Sequence, residues 1–247
     1  MHDLGWVYVA GGLLIGGILK GATGAGAPIV AVPVLAMLYD VPFAIAMLTF
    51  PILFSNIWQA WRFRASQGSK LFVWLFAGSA AIGTAIGTAL LVSLPSKLLF
   101  LSVSIAVLVY IAFRLARPQW SLSERLGRRL VAPMGFLSGV MQGAAGISAP
   151  ISLTFLTALR MDRARFIATV SVFFTVMAIV QIPALASLGV MDGHKAALSL
   201  LACLPMFGGM PIGAVLARHL SPKTFERVIF VLLTVVALRL IFEAIWG

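Results

Sequence analysis

The sequence predicts an all-α polytopic membrane protein made of two inverted repeats, each a broken, re-entrant helix pair followed by three transmembrane helices. Composition is the first reason. The chain is 61% hydrophobic and 10% charged, with a mean hydropathy of +1.07, whereas soluble domains carry about 25% charged residues. The second is that the apolar runs are continuous rather than alternating, which favours helices over a barrel. The third is a glycine-rich interruption, Lys20-Gly21-Ala22-Thr23-Gly24-Ala25-Gly26-Ala27-Pro28, that returns as Gln142-Gly143-Ala144-Ala145-Gly146-Ile147-Ser148-Ala149-Pro150.

Between charged or turn-rich breaks the chain holds about eight hydrophobic segments: Leu4 to Leu38, Pro42 to Trp61, Leu71 to Leu94, Leu98 to Phe113, Leu130 to Leu159, Phe166 to Leu188, Ala196 to Ala217 and Phe225 to Trp246. They fall into a first repeat over residues 1–115, a basic cytoplasmic linker over 116–129 and a second repeat over 130–247, all within one integral membrane domain. Gly17, Gly21, Gly24, Pro28, Asp40 and Gln59 align at constant offset with Gly139, Gly143, Gly146, Pro150, Asp162 and Gln181. Gly83, Gly87 and Lys97 align with Gly209, Gly213 and Lys223 at a slightly larger offset. Matches that hold register over half a chain indicate an internal duplication rather than chance among small residues.

As one helix, Leu4 to Leu38 would reach roughly 50 Å, beyond a hydrocarbon core of about 30 Å. Central glycine and proline argue for two half-helices instead, Leu4 to Leu19 and Pro28 to Leu38, forming a re-entrant hairpin whose tip stops near the midplane. Charge supports the hairpin. With it, one face collects Arg62, Arg64, Lys70, Arg114, Arg117, Arg125, Arg128, Arg129, Arg160, Arg163, Arg165, Arg218, Lys223 and Arg227, and the other keeps Lys97, Lys195 and Arg239. With single crossings the asymmetry largely disappears. A hairpin plus three spans makes each half odd, so the halves are inverted, with both termini expected in the periplasm. Met1-His2-Asp3-Leu4 has no basic region of a signal peptide, so no removed leader is expected.

At the tips, glycine permits a tight turn, and Pro28 suits the first turn of a new helix, where its missing N–H had no partner anyway. The new helix presents free N–H groups and a partial positive charge, which bind anions. By symmetry the two N-termini would face each other across the midplane with one small polyoxygenated anion between them. The expected substrate-binding residues are Lys20, Gly21, Thr23, Gly24, Gly26, Ala27, Pro28 and Gln59 from the first repeat. From the second come Gln142, Gly143, Gly146, Ser148, Ala149 and Gln181. Lys20 is an intramembrane cation, which is costly enough to imply function, although a lysine stem can also snorkel to an interface. Ser148 can cap its helix or reach a ligand. Asn56, Gln59, Gln181, Thr49 and Ser171 suit ligand contact and helix–helix hydrogen bonding equally, and the ladder Gly83, Gly87, Gly209, Gly213 reads as close helix packing.

Asp3, Asp40, Glu124, Asp162, Asp192, Glu226 and Glu243 lie in turns or toward span ends, with Asp40 and Asp162 placed to cap the following helix. His2, His194 and His219 lack metal-ligand spacing, and the single Cys203 excludes a disulfide within one chain. No Ser-His-Asp, metal or nucleotide signature is present, so no enzyme, catalytic residue, metal or cofactor is expected. The scattered basic residues do not form a nucleic-acid-binding patch.

The two glycine-rich tips, with Val32-Pro33 following the first, resemble the TauE/SafE family of sulfite exporters, also called the 4-toluene sulfonate uptake permease family. The resemblance implies a bacterial inner-membrane secondary transporter, taken as an exporter, of sulfite, sulfonates or related organosulfur anions, working by alternating access around the midplane site. Its partners would be the small anion, the bilayer and, as an open option, a second copy in a homodimer. A passive anion channel or facilitator, or a transporter of a different small organic anion, uses the same tips.

Overall fold

The computed structural model describes residues 2–116, 120–219 and 222–246. It describes only the backbone at residues 2–4, 114, 218 and 222–229. These residues are helical almost throughout, with no strand among them. The helices are α1 (His2–Thr23), α2 (Ala27–Leu38), α3 (Val41–Arg62), α4 (Lys70–Ser93), α5 (Ser96–Ala116), α6 (Glu124–Ala145), α7 (Ala149–Ala158), α8 (Arg163–Ser187), α9 (Gly193–Leu201), α10 (Cys203–His219) and α11 (Pro222–Trp246). Six stretches among them are long and apolar enough to cross a membrane, while α2 and α7 are shorter apolar helices. Large apolar side chains such as Leu71, Ile82 and Leu204 cover the outside, as in a polytopic membrane protein. All six tryptophans are exposed, suiting them to the two interfaces, where aromatic rings collect.

Both long runs are hairpins that return to their starting side. The ring of Tyr39, just past α2, lies 6.4 Å from that of Trp6 at the start of α1. In the second copy the Leu122 N–H, just before α6, donates to the Ala158 carbonyl at the end of α7 over 2.8 Å. The turns need glycine: Gly24, Gly26 and Gly146 have φ of 83°, 92° and 70°, a region closed to most side chains. Asp40 and Asp162 cap the following spans, accepting from the Phe43 and Arg165 N–H groups at 2.6 and 2.9 Å.

The long legs run further than expected. α1 is a 22-residue helix ending at Thr23 rather than Leu19, about 33 Å long. Gly16, Gly17 and Gly21 do not end it, because glycine stops a helix only where the chain must leave helical φ. Similarly α6 begins at Glu124, inside the segment expected to be linker. The seventh apolar run, expected as one span, forms one candidate membrane span over Gly193–Ala217, with a single non-helical residue, Ala202, between α9 and α10. Within α3, Pro51 supplies no N–H for the Met47 carbonyl. Ser199 of α9 donates to that carbonyl at 3.0 Å.

Two glycine seams tie the halves together, and they repeat each other residue by residue. A Cβ added at Gly17 or Gly21 of α1 would strike the backbone of Met206 or Met210 on α10, and one at Gly209 or Gly213 would strike Leu14 or Ile18. At the aligned positions, Gly139 and Gly143 of α6 abut Ala80 and Thr84 of α4, and Gly83 and Gly87 abut Phe136 and Val140. Each hairpin's long leg thus packs on the second full span of the other half, with backbone against backbone. Gly87→Ala is expected to lower the thermal unfolding midpoint, by the equivalent of about 1–3 kcal/mol of overpacking. Gly78→Ala, whose Cβ meets nothing within 4 Å, should leave the midpoint unchanged or raise it.

Candidate functional site

The tips are placed by the pairing of α3 with α8, the first full spans of the two repeats. These run antiparallel, the Ser171 hydroxyl early in α8 donating to Gln59 Oε1 late in α3 at 3.5 Å. The first tip lies beside the start of α8, where Gly24 abuts Ile167 and Arg163 donates to the Ala22 carbonyl at 3.2 Å. The second lies beside the start of α3, where Gly146 abuts Ile45, the residue aligned with Ile167, and Val32 of α2. The tips therefore sit toward opposite faces. The first tip is thus enclosed by α8, and the second by α3 and α2.

Lys20 is the charged residue of the first tip. It is 3% exposed, and among the described residues its ammonium has one hydrogen-bond partner, Asn56 Oδ1 at 2.8 Å. The side chain therefore points into the protein and does not snorkel. Asn56 is itself held, its amide donating to the Ile52 carbonyl at 2.7 Å. Thr23 works locally, its hydroxyl lying between the Leu19 and Ala25 carbonyls and accepting from the Ala25 N–H. Gly26, Ala27 and Pro28 are buried and open α2.

Beside this tip is a cavity of about 950 Å³ lined by Gly21, Gly24, Gln59, Arg62, Arg163 and Met210, among others. Its two arginines are exposed and face a site that already has a buried ammonium one residue behind Gly21. Sequence reasoning counted Arg62 and Arg163 only as topological charges. Their signal was position, at the end of α3 and the start of α8.

The second tip is polar but carries no charged residue. Gln142, aligned with Lys20, is 3% exposed. Its carbonyl accepts from the Gln181 amide at 3.4 Å, and its side-chain Oε1 is buried with no partner among the described residues. Ser148 does not cap α7, and its hydroxyl accepts from Ser152 at 3.2 Å. Gly143 lies in the seam against α4, and Ala149 is buried at the start of α7. Thr84 was missed: it abuts Gly143 and its hydroxyl is buried without a partner among the described residues. Its place one residue beyond Gly83 was the available signal. Among the described residues no group of three His, Cys, Asp or Glu is placed to hold a metal ion.

The first tip thus joins a desolvated cation, a helix N-terminus and an arginine-lined cavity, a set suited to a small anion. Asn56→Leu would leave the ammonium buried and unpartnered, a loss of about 1–3 kcal/mol. Lys20→Met added to it should restore much of the stability, and a double-mutant cycle of unfolding midpoints measures the coupling.

No curated protein and no solved structure matches the chain. A family profile, described as sulfite exporter TauE/SafE, matches residues 8–240, taking in both tips and both glycine seams. The chain belongs to the sulfite exporter TauE/SafE family.

Proposed function

We propose that the protein is a secondary transporter that exports a small sulfur-containing anion, of the sulfite or sulfonate class, across a bacterial inner membrane by alternating access. The observation that carries this reading is the buried Lys20 ammonium, held by Asn56 beside an arginine-lined cavity. A desolvated cation without a carboxylate is unfavourable on its own and gains most from an anion. The family's description as sulfite exporters supplies the substrate class.

In this account the arginine-rich face is cytoplasmic and the termini are periplasmic, by the positive-inside rule. Arg62 and Arg163 attract the anion into the cavity. Lys20, the Gly26 N–H and the start of α2 at Ala27 bind it, with Gln59 on the facing span, while Gly21, Gly24 and Pro28 shape the tip. Thr23 holds the turn. Handover follows the α3–α8 seam from Gln59 and Ser171 to the neutral second tip of Gln142, Gly143, Gly146, Ser148, Ala149 and Gln181. The weaker electrostatic hold there favours release on the far side.

A passive facilitator is the second reading, favoured by the lack of any Asp or Glu among the described buried residues. Such a carboxylate would be the usual carrier of a coupling proton or sodium ion.

Proteoliposomes separate the two. Transport predicts saturable sulfite flux with counterflow, and linear flux without counterflow would favour the facilitator. Lys20→Met is expected to cut the flux at least tenfold while Lys97→Met leaves it intact. Thermal shifts with sulfite, thiosulfate, sulfoacetate and sulfate, against chloride and acetate, name the ligand. A stabilisation that survives Lys20→Met would remove Lys20 from the site.

A further inference from the structure

A second basic cavity, separate from the candidate transport site, lies on the other side of the start of α8. It has a volume of about 430 Å³ and is lined by Arg128 of α6, Arg160 in the α7–α8 turn and Arg165 of α8, with Leu71 and Leu75 of α4 along its wall. We propose that it binds the phosphate headgroup of an anionic phospholipid, with an acyl chain lying along α4.

Charge is the first argument. Glu124 and Asp162 also line the cavity, but Asp162 is engaged in capping α8, accepting from the Arg165 N–H at 2.9 Å. Glu124 approaches Arg128 only to 4.0 Å, and both side chains are largely exposed. Three guanidinium groups therefore face two carboxylates, one of them turned to the α8 N-terminus, which leaves the cavity a net positive charge.

Arg165 is built for a ligand. Its Nε is buried and has no partner among the described residues, which is costly to leave so. The guanidinium lies against Gly68, where an added Cβ would fall 2.8 Å from its Cζ. Arg160 is the one non-glycine residue with positive φ among the described residues, at 49°. Glycine would fit that backbone without strain, and keeping an arginine there places a third guanidinium at the rim.

The walls decide the source of the phosphate. Leu71 and Leu75 are 70% and 43% exposed, and Trp74 between them is 61% exposed. An apolar, tryptophan-marked surface running from a basic pocket matches a lipid's acyl chain below its headgroup. Free phosphate would have no use for it.

The test uses the purified full chain in detergent, with phosphatidylglycerol, phosphatidylcholine and inorganic phosphate as probes. Native mass spectrometry is expected to retain phosphatidylglycerol in preference to phosphatidylcholine, with a matching rise in unfolding temperature. Arg165→Gln should reduce phosphatidylglycerol occupancy at least fivefold. Arg128→Gln, on an exposed side chain that cannot disturb the core, should reduce it at least twofold, and Arg129→Gln outside the cavity should leave it unchanged. Equal retention of both lipids, full retention in the Arg165 and Arg128 variants, or a shift given by inorganic phosphate alone would overturn the proposal.

Discussion

The architecture depends on close backbone contact at two glycine seams. Within a bilayer no water is available to satisfy a turn, so an interrupted helix is tolerated only where protein encloses it. Gly17 and Gly21 let α1 settle onto the backbone of α10, and Gly139 and Gly143 let α6 settle onto α4. Each seam joins one repeat to the other, so each half encloses the other's broken helix. The N-terminal ends of α2 and α7 can then lie at buried positions, as exposed loops could not.

Symmetry of packing does not extend to charge. Gly24 on Ile167 and Gly146 on Ile45 are the same contact made twice, yet Lys20 is answered by Gln142 and Arg163 by Val41. The backbone frame is common to both tips, and the electrostatics belong to one. The two tips therefore offer a ligand different electrostatics on a similar backbone frame.

Much of the frame was legible in the residues. Glycine spacing at constant offset marked the hairpins and both seams, and Asp40 and Asp162 announced the caps they make. Depth was not legible, because Gly21, read as part of the turn, remained helical where the helix had a partner to pack against. Pairings across the fold were hidden for a similar reason. Asn56 was visible as a polar residue on the following span, but nothing local marked it as the partner of Lys20. The Met47 carbonyl, left without a helical donor by Pro51, is answered by Ser199, far along the chain. The arginines of the cavity were seen only as topology, since residues at span ends serve an interface and a site with the same chemistry.

The most direct measurement is an anomalous difference map from crystals soaked in selenite, a heavier oxyanion of the same shape as sulfite. The account predicts a selenium peak within hydrogen-bonding distance of the Lys20 ammonium, at the N-terminal end of α2. A peak lying only between Gln142 and Gln181, or midway between the tips with none beside Lys20, would contradict it.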